Sequence, residues 1–322
     1  MRKYRIAFLG NFSVPYSSES HYKTTFEDLG HSIIPLQEGR ANSEEISEAA
    51  LNSDIFFWVH THGWHTQGIN YVVQELKDKG IPTVGYHLDL WLGIEREKDL
   101  ETDPYWRIEY FFSVDEQMVD LLNEREDMPK AFYLPPGVVK SECYLGEYRE
   151  ELASDIIFVG SKGYHDEWPY RPQLVNWLKD TYGDQFAHWG GDGKGTIRGA
   201  ELNDLYASAK IVIGDTLSPG FNYPKYYSDR LFETTGRGGF LIFPFIKGIN
   251  DMFYTDVGDL SKNKSELATY KFNNFDDLSF KINFFLTHDK RREEMRLAGH
   301  KRTKRDHTYN NRLKEMLEVI NA

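Results

Sequence analysis

Cysteine is almost absent, positive charge is in deficit, and no long apolar run occurs. The 322 residues hold one cysteine, Cys143. A single thiol excludes an intramolecular disulfide and a cysteine-built zinc site, and it suits a reducing compartment. As a nucleophile Cys143 would need a base beside it, and "SECYLGEY" offers no adjacent histidine. Lys and Arg number 38 against 50 Asp and Glu, a formal net charge of −12. No global basic field therefore draws the chain to phosphate polymers, which leaves only a local basic groove for such a partner. No apolar stretch approaches the roughly 20 residues that span a bilayer. The run Ile6 to Leu9 is too short for the core of a signal peptide. The expectation is a soluble, cytoplasmic protein, monomer or homodimer. Complete phosphate-loop signatures are missing too. In "HWGGDGKGTIRG" Lys194 is followed by Gly195 rather than Ser or Thr, residues 190–199 do not fit G-x-G-x-x-G, and "FLGNFSVPYS" lacks the second glycine.

What is present is a rhythm. Short β-rich runs alternate with helical patterns, the signature of a parallel sheet covered by helices. In the first half "YRIAFLG", "HSIIPL", "SDIFFWVH", "IPTVGYHLD", "YFFSVD" and "KAFYLPPG" read as strands. Helices are expected over Ser20–Leu29, "NSEEISEAAL" with Asn42 or Ser43 as cap, Gln67–Lys79 and Glu116–Asn123. "SECYLGEYREELASD" breaks the rhythm with charge and reads as a linker. The pattern restarts with "DIIFVGS", helix Arg171–Tyr182, "FAHWGG", helix Ala200–Ala209, "KIVIGD", helix Ser228–Thr235 and "GGFLIFP", then helices from Asp276 to the end. The fold class expected is α/β, with two Rossmann-like units whose ligands bind at the carboxyl ends of the strands, in the cleft they face.

Several residues stand at those strand ends. "DIIFVGSKGYHDEWPYR" ends a buried strand in Gly160 and Ser161, and Lys162 follows where a cation reaches a diphosphate; Arg171 is a second cation. Glycine permits close backbone approach, and lysine supplies a mobile point charge. In "YYSDRLFETTGRGGFLIFP" Ser228 reads as an N-cap, with Asp229, Arg230 and Glu233 in the first two turns. The bland reading is an exposed Arg230–Glu233 pair worth about 0.2–0.5 kcal/mol. The sharper one puts phosphates at the helix tip beside Arg230 and a ribose diol on Glu233. In the first half "WVHTHGWHTQG" places His60, His62 and His65 past a strand end, with Trp58 and Trp64 between them. His60 and His62 share a side of an extended segment, yet no third ligand spacing supports a metal, so none is expected. A histidine that hydrogen-bonds a sugar or acts as a base fits better. Asp89 in "GYHLDLW" orients an acceptor hydroxyl or takes its proton, or else forms a turn.

These runs carry a resemblance. "ELNDLYASAKIVIGD", followed by "YYSDRLFETTGRGGFLIFPFIKGINDMF", resembles the C-terminal domain of group 1 glycosyltransferases, and more closely their CgeB-like, phage-borne branch. "THGW", "GYHLDLWLG" and the tail "REEMRLAGHKRTKRDHTYNNRLKEML" extend the likeness over nearly the whole chain. The resemblance implies a GT-B fold: residues 1–150 as acceptor domain, 151–308 as nucleotide-sugar domain, and 309–322 as a helix crossing back to the first. It implies a retaining transfer from a nucleoside-diphosphate sugar to an acceptor hydroxyl, with no cofactor and no metal. Glu233 matches the second glutamate of the family's Glu-x7-Glu motif, which holds the ribose; Lys225 stands where the first would be. Lys162 and Arg230 match the basic contacts to the diphosphate. The acceptor is a glycan, a protein or a modified DNA base. The rivals are a DNA glycosyltransferase acting on a hydroxylated base and a non-catalytic nucleotide-sugar-binding module.

Overall fold

The computed structural model describes residues 2–163, 165–256 and 265–321. The chain divides into two compact units, one of Met1–Pro135 with Tyr309–Ala322, the other of Pro136–Thr308.

In unit 1 the alternation appears as β1 (Arg5–Gly10), α1 (Ser18–Asp28), β2 (Ser32–Gln37), α2 (Ser43–Leu51), β3 (Ile55–Trp58), α3 (Ile69–Asp78), β4 (Thr83–His87), β5 (Tyr110–Ser113), α4 (Glu116–Asn123) and β6 (Lys130–Tyr133). The strands form one parallel sheet, ordered β2-β1-β3-β4-β5-β6. Its central strands read as unbroken apolar runs because helices cover both faces, so Ile6 to Leu9 and Phe56 to Trp58 are all buried. Asn42 rather than Ser43 caps α2: its Oδ1 accepts from Glu45 N at 3.0 Å, and the Glu45 carboxylate accepts from Asn42 N at 3.0 Å.

Unit 2 contains β7 (Ser154–Val159), α5 (Tyr170–Tyr182), β8 (Phe186–Trp189), α6 (Gly199–Ser208), β9 (Ala209–Ile213), α7 (Arg230–Gly236), β10 (Leu241–Pro244), β11 (Ala268–Tyr270), α8 (Phe275–Thr287) and α9 (Asp289–Asp306). Its sheet is parallel, ordered β11-β10-β9-β7-β8. The last helix, α10 (Tyr309–Ile320), belongs to unit 1, where Tyr309 meets the Tyr22 ring of α1 edge-on at 5.0 Å.

The structure departs from the sequence reading in three places. The charged segment 141–155 is no free linker, and the division between units falls at Pro135, not near residue 150. Polar groups of α6 hold its irregular backbone instead of an apolar stripe. Asn203 Nδ2 donates to the carbonyls of Glu142 and Tyr144 at 2.9 and 2.8 Å, and Ser208 Oγ accepts from Arg149 N at 2.8 Å. β11, a three-residue strand, carries too little pattern to be read from sequence. Finally, α7 begins at Arg230, not Ser228.

Both sheets reverse direction once, and those points place the candidate sites. From β1 the chain goes to β2 on one side and then to β3 on the other; from β7 it goes to β8 and then back to β9. In open α/β sheets a crevice opens at such a reversal, outside the carboxyl ends of the strands.

Candidate functional site

The crevice of unit 2 lies between the ends of β7 and β9. β9 runs out into Gly214 and then Asp215, whose carboxylate is fully buried. A buried charge persists only when paired, and Asp215 gathers its partners from two helices. Arg171, one residue into α5, donates from Nε at 2.9 Å, and Arg230, the first residue of α7, approaches from Nη1 at 3.4 Å. Trp168 Nε1 completes the set at 3.3 Å. Arg171 is therefore not a solvated charge at a turn but a buried ion partner.

Arg230 does not pair with Glu233, as the i,i+3 spacing suggested. Its Nε donates to the Val159 carbonyl at 2.9 Å, and its guanidinium lies over the Phe158 ring at 5.6 Å. The remaining Nη2 makes no hydrogen bond among the described residues and passes Gly160 closely. A Cβ on Gly160 would stand 2.6 Å from that nitrogen and push the guanidinium aside, and the φ of +139° at Gly160 is a backbone that favours glycine. His188 Nε2 donates to the Gly160 carbonyl at 2.7 Å and fixes the peptide. Ser161 is exposed, and its carbonyl accepts from Arg171 Nη1 at 3.4 Å. Lys162 is half-buried, with its backbone N–H turned to the Asp192 carboxylate at 3.3 Å.

Ser228 is not the expected cap. Its Oγ donates to the Asp215 carbonyl at 3.0 Å, and its N–H to Thr216 Oγ1 at 3.1 Å, so the side chain ties the loop before α7 to the end of β9. Asp229 takes the cap position with helical dihedrals and no side-chain bond to the helix.

One turn into α7, Glu233 is partly buried, and its carboxylate makes no hydrogen bond among the described residues. Burial, followed by the charge of Asp229 and that of Glu142, pushes its pKa up to about 7 against the pull of Arg237 and Arg198. Behind it Arg237 is buried, bonded to the Glu142 carboxylate and, at 2.7 Å, to Asn203 Oδ1. Lys225 sits on a left-handed backbone with φ +53°, its N–H donating to the Lys247 carbonyl at 2.9 Å.

Unit 1 gathers a second constellation past β3 and β4. Glu38, which follows β2, is buried and accepts from Trp58 Nε1 at 2.8 Å, Thr61 N at 2.7 Å and His60 Nδ1 at 2.5 Å. The other His60 nitrogen faces Asp103 Oδ2 at 3.6 Å. Burial alone would disfavour the imidazolium, but hydrogen bonds with Asp103 and Glu38 outweigh it and raise the pKa to about 9. His60 is thus a charged strut, with neither nitrogen left to act as a base. Both of its ring nitrogens face carboxylates, and among the described residues no group of three or more His, Cys, Asp or Glu side chains has the arrangement of a metal site.

His62 differs. Its ring is partly exposed, Nε2 lies 3.2 Å from Asp99 Oδ2, and the buried Nδ1 has no hydrogen-bond partner among the described residues. It packs edge-on against Trp91 at 5.4 Å. Asp89 lies near the same indole, forming a turn through Leu90 N at 3.0 Å and binding Arg96 Nη2 at 3.0 Å. That arginine stacks over Trp91 at 6.0 Å and donates to His87 Nε2 at 3.1 Å. Burial, with Arg96 adding to it, lowers the His87 pKa to about 3, so this ring accepts as a neutral base. The structure therefore groups His60, His62 and Asp89 in unit 1, and Gly160, Ser161, Lys162, Ser228, Asp229, Arg230 and Glu233 in unit 2. Sequence reading missed Asp215, Glu38, Asp99 and Asp103. Asp215 carried a signal, since it ends the run "KIVIGD" at a predicted strand end.

Residues 171–318 match the family model described as "Glycosyl transferase-like". No curated protein sequence matches the chain. Among solved structures it is similar to an alpha-glucosyltransferase in complex with UDP-glucose and DNA containing an abasic site, at TM-score 0.70 and 12% identity, covering 100% of both chains. It is also similar to Anabaena Alr3699/HepE in complex with UDP and glucose, at TM-score 0.62 and 10% identity over 98% of this chain and 100% of that one. Sucrose-phosphate synthase from Thermosynechococcus elongatus aligns at TM-score 0.61 and 9% identity, over 99% and 98% of the two chains. At such identities the likeness establishes the fold. The chain thus has the GT-B fold, and residues 171–318 are similar to a glycosyl transferase-like family.

Proposed function

We propose that the protein transfers a hexosyl or pentosyl group from a nucleoside-diphosphate sugar to an acceptor hydroxyl with retention of configuration, as a member of the CgeB-like, phage-borne branch. Glu233 carries the reading. A partly buried carboxylate without a hydrogen-bond partner among the described residues is costly unless a ligand supplies donors. A ribose diol supplies two, and Glu233 stands where the family's ribose-binding glutamate stands. Arg230, Lys162 and the peptides of Gly160 and Ser161 face the diphosphate. Their positive charge and N–H groups stabilise the leaving group as the anomeric C–O bond breaks, so the reaction needs no metal. The acceptor oxygen bonds the anomeric carbon from the face the leaving group vacates, and its proton passes to the departing phosphate oxygen. In unit 1, Asp89 and His62 meet the acceptor, with Trp91 as an apolar floor.

Calorimetry with UDP and UDP-glucose, followed by product analysis for slow UDP-glucose hydrolysis, tests this reading. Binding with hydrolysis supports an enzyme; binding without any turnover favours the non-catalytic module. A second reading is a DNA glycosyltransferase acting on a hydroxylated base, favoured by the structural neighbour bound to DNA. The net charge of −12 weighs against it. Glucosylation of an oligonucleotide carrying a hydroxymethylated base, falling steeply with salt, would establish it.

A further inference from the structure

We propose that Asp215 is the positioning residue of the donor site: it aims Arg230 at the diphosphate by holding Arg171 and Arg230 on one buried carboxylate. The inference rests on the donor-site reading above and adds a residue that the Glu233 and Arg230 assignments do not contain.

The geometry is that of an anchor. Arg230 is tethered through Nε to Val159 O at 2.9 Å and through Nη1 to Asp215 Oδ1 at 3.4 Å. Those two bonds fix the guanidinium plane and leave Nη2 to pass over Gly160 at the reversal point of the sheet. Asp215 is itself over-determined by Arg171, by Trp168 and, through its carbonyl, by Ser228 Oγ. Its carboxylate is fully buried, so it touches no substrate; its effect passes through Arg230. Within this cluster one carboxylate faces two guanidinium groups.

Positioning and plain electrostatics predict opposite signs. Removing the Asp215 charge makes the crevice more positive by one unit, so Coulomb attraction alone would tighten anion binding. If Asp215 instead orients Arg230, its loss frees the guanidinium to rotate away, and the diphosphate contribution falls.

The test compares UDP with uridine, by ligand-observed NMR titration, in the unaltered protein and in Asp215→Asn. A structural defect lowers both affinities together, whereas a positioning defect lowers only the UDP-to-uridine ratio. The expected result is a loss of about tenfold or more in that ratio, with uridine binding retained. Breaking a buried pair can unfold a protein. The double variant Asp215→Asn/Arg171→Met therefore removes both partners, with Arg171→Met alone as its reference. The ratio should fall further in the double variant than in that reference. An unchanged or increased ratio in Asp215→Asn, or a double variant equal to Arg171→Met, overturns the inference while the donor site stands. Failure of the unaltered protein to bind UDP overturns the donor-site reading and this inference with it.

Discussion

Replacing Glu233 by Gln tests the donor site most directly. The side chain keeps its shape and one acceptor oxygen but loses its charge, at a position where the carboxylate makes no hydrogen bond among the described residues. A hydrogen bond to a charged group is worth about 1.5–3 kcal/mol net, so losing the charge-assisted grip on a ribose diol should weaken UDP-glucose binding roughly 10- to 150-fold. The pH dependence sharpens the test, because burial lifts this carboxyl from the ordinary carboxylate range up to about 7. Only the ionised form accepts from both ribose hydroxyls, so affinity should rise as pH increases from 6 to 8. UDP-glucose suits the measurement because its diphosphate is esterified at both ends and does not titrate in that window. The stability sign runs the other way. A raised carboxyl pKa contributes stability below the unfolded value, and this is lost as pH rises through the folded one. Glu233→Gln should therefore melt no lower than the unaltered protein at pH 8. Isothermal titration at pH 6, 7 and 8 settles it. Equal affinities for both proteins at pH 8, or a pH slope that survives the substitution, would refute the reasoning.

Four other perturbations follow from the same geometry. Gly160→Ala puts a methyl group 2.6 Å from Arg230 Nη2 on a backbone with φ +139°, so it should lower both the melting temperature and UDP affinity, read by thermal shift with and without UDP. Glu142→Gln strips the charge partner from buried Arg237 and should cost about 3–5 kcal/mol in a denaturant melt, as broken buried pairs do. His60, held as an imidazolium with a pKa of about 9, contributes stability that is present below 6.5 and lost as pH climbs through 9. The loss is on the order of 3 kcal/mol; denaturant melts between pH 7 and 10 should show it, and His60→Gln should flatten the slope. His62→Ala should leave UDP affinity intact while lowering turnover; a protein with unchanged turnover would remove His62 from the chemistry.

The Rossmann-like alternation, the apolar strands, the placement of Gly160 and Lys162 after a strand end and that of Arg230 and Glu233 at the start of a helix were legible from sequence. Period-2 and period-3.6 patterns report burial directly, and glycine at a strand end reports a close approach. Side-chain partnership was not legible, because it depends on which strand ends meet. The order β9-β7-β8 brings residue 215 beside residues 171 and 230, and no local spacing announces that Arg230 will choose Asp215 over Glu233 three residues away. The same holds in unit 1, where Glu38, Asp99 and Asp103 converge on two histidines that the sequence offered as sugar-binding or base candidates. The sequence by itself determined the two parallel sheets and the strand ends at which chemistry gathers. Tertiary structure alone decided which charges are spent on one another and which groups, like the Glu233 carboxylate and Arg230 Nη2, make no hydrogen bond among the described residues. The reason is that a buried charge must be paired, and its nearest partner in space is set by sheet order, not by distance along the chain.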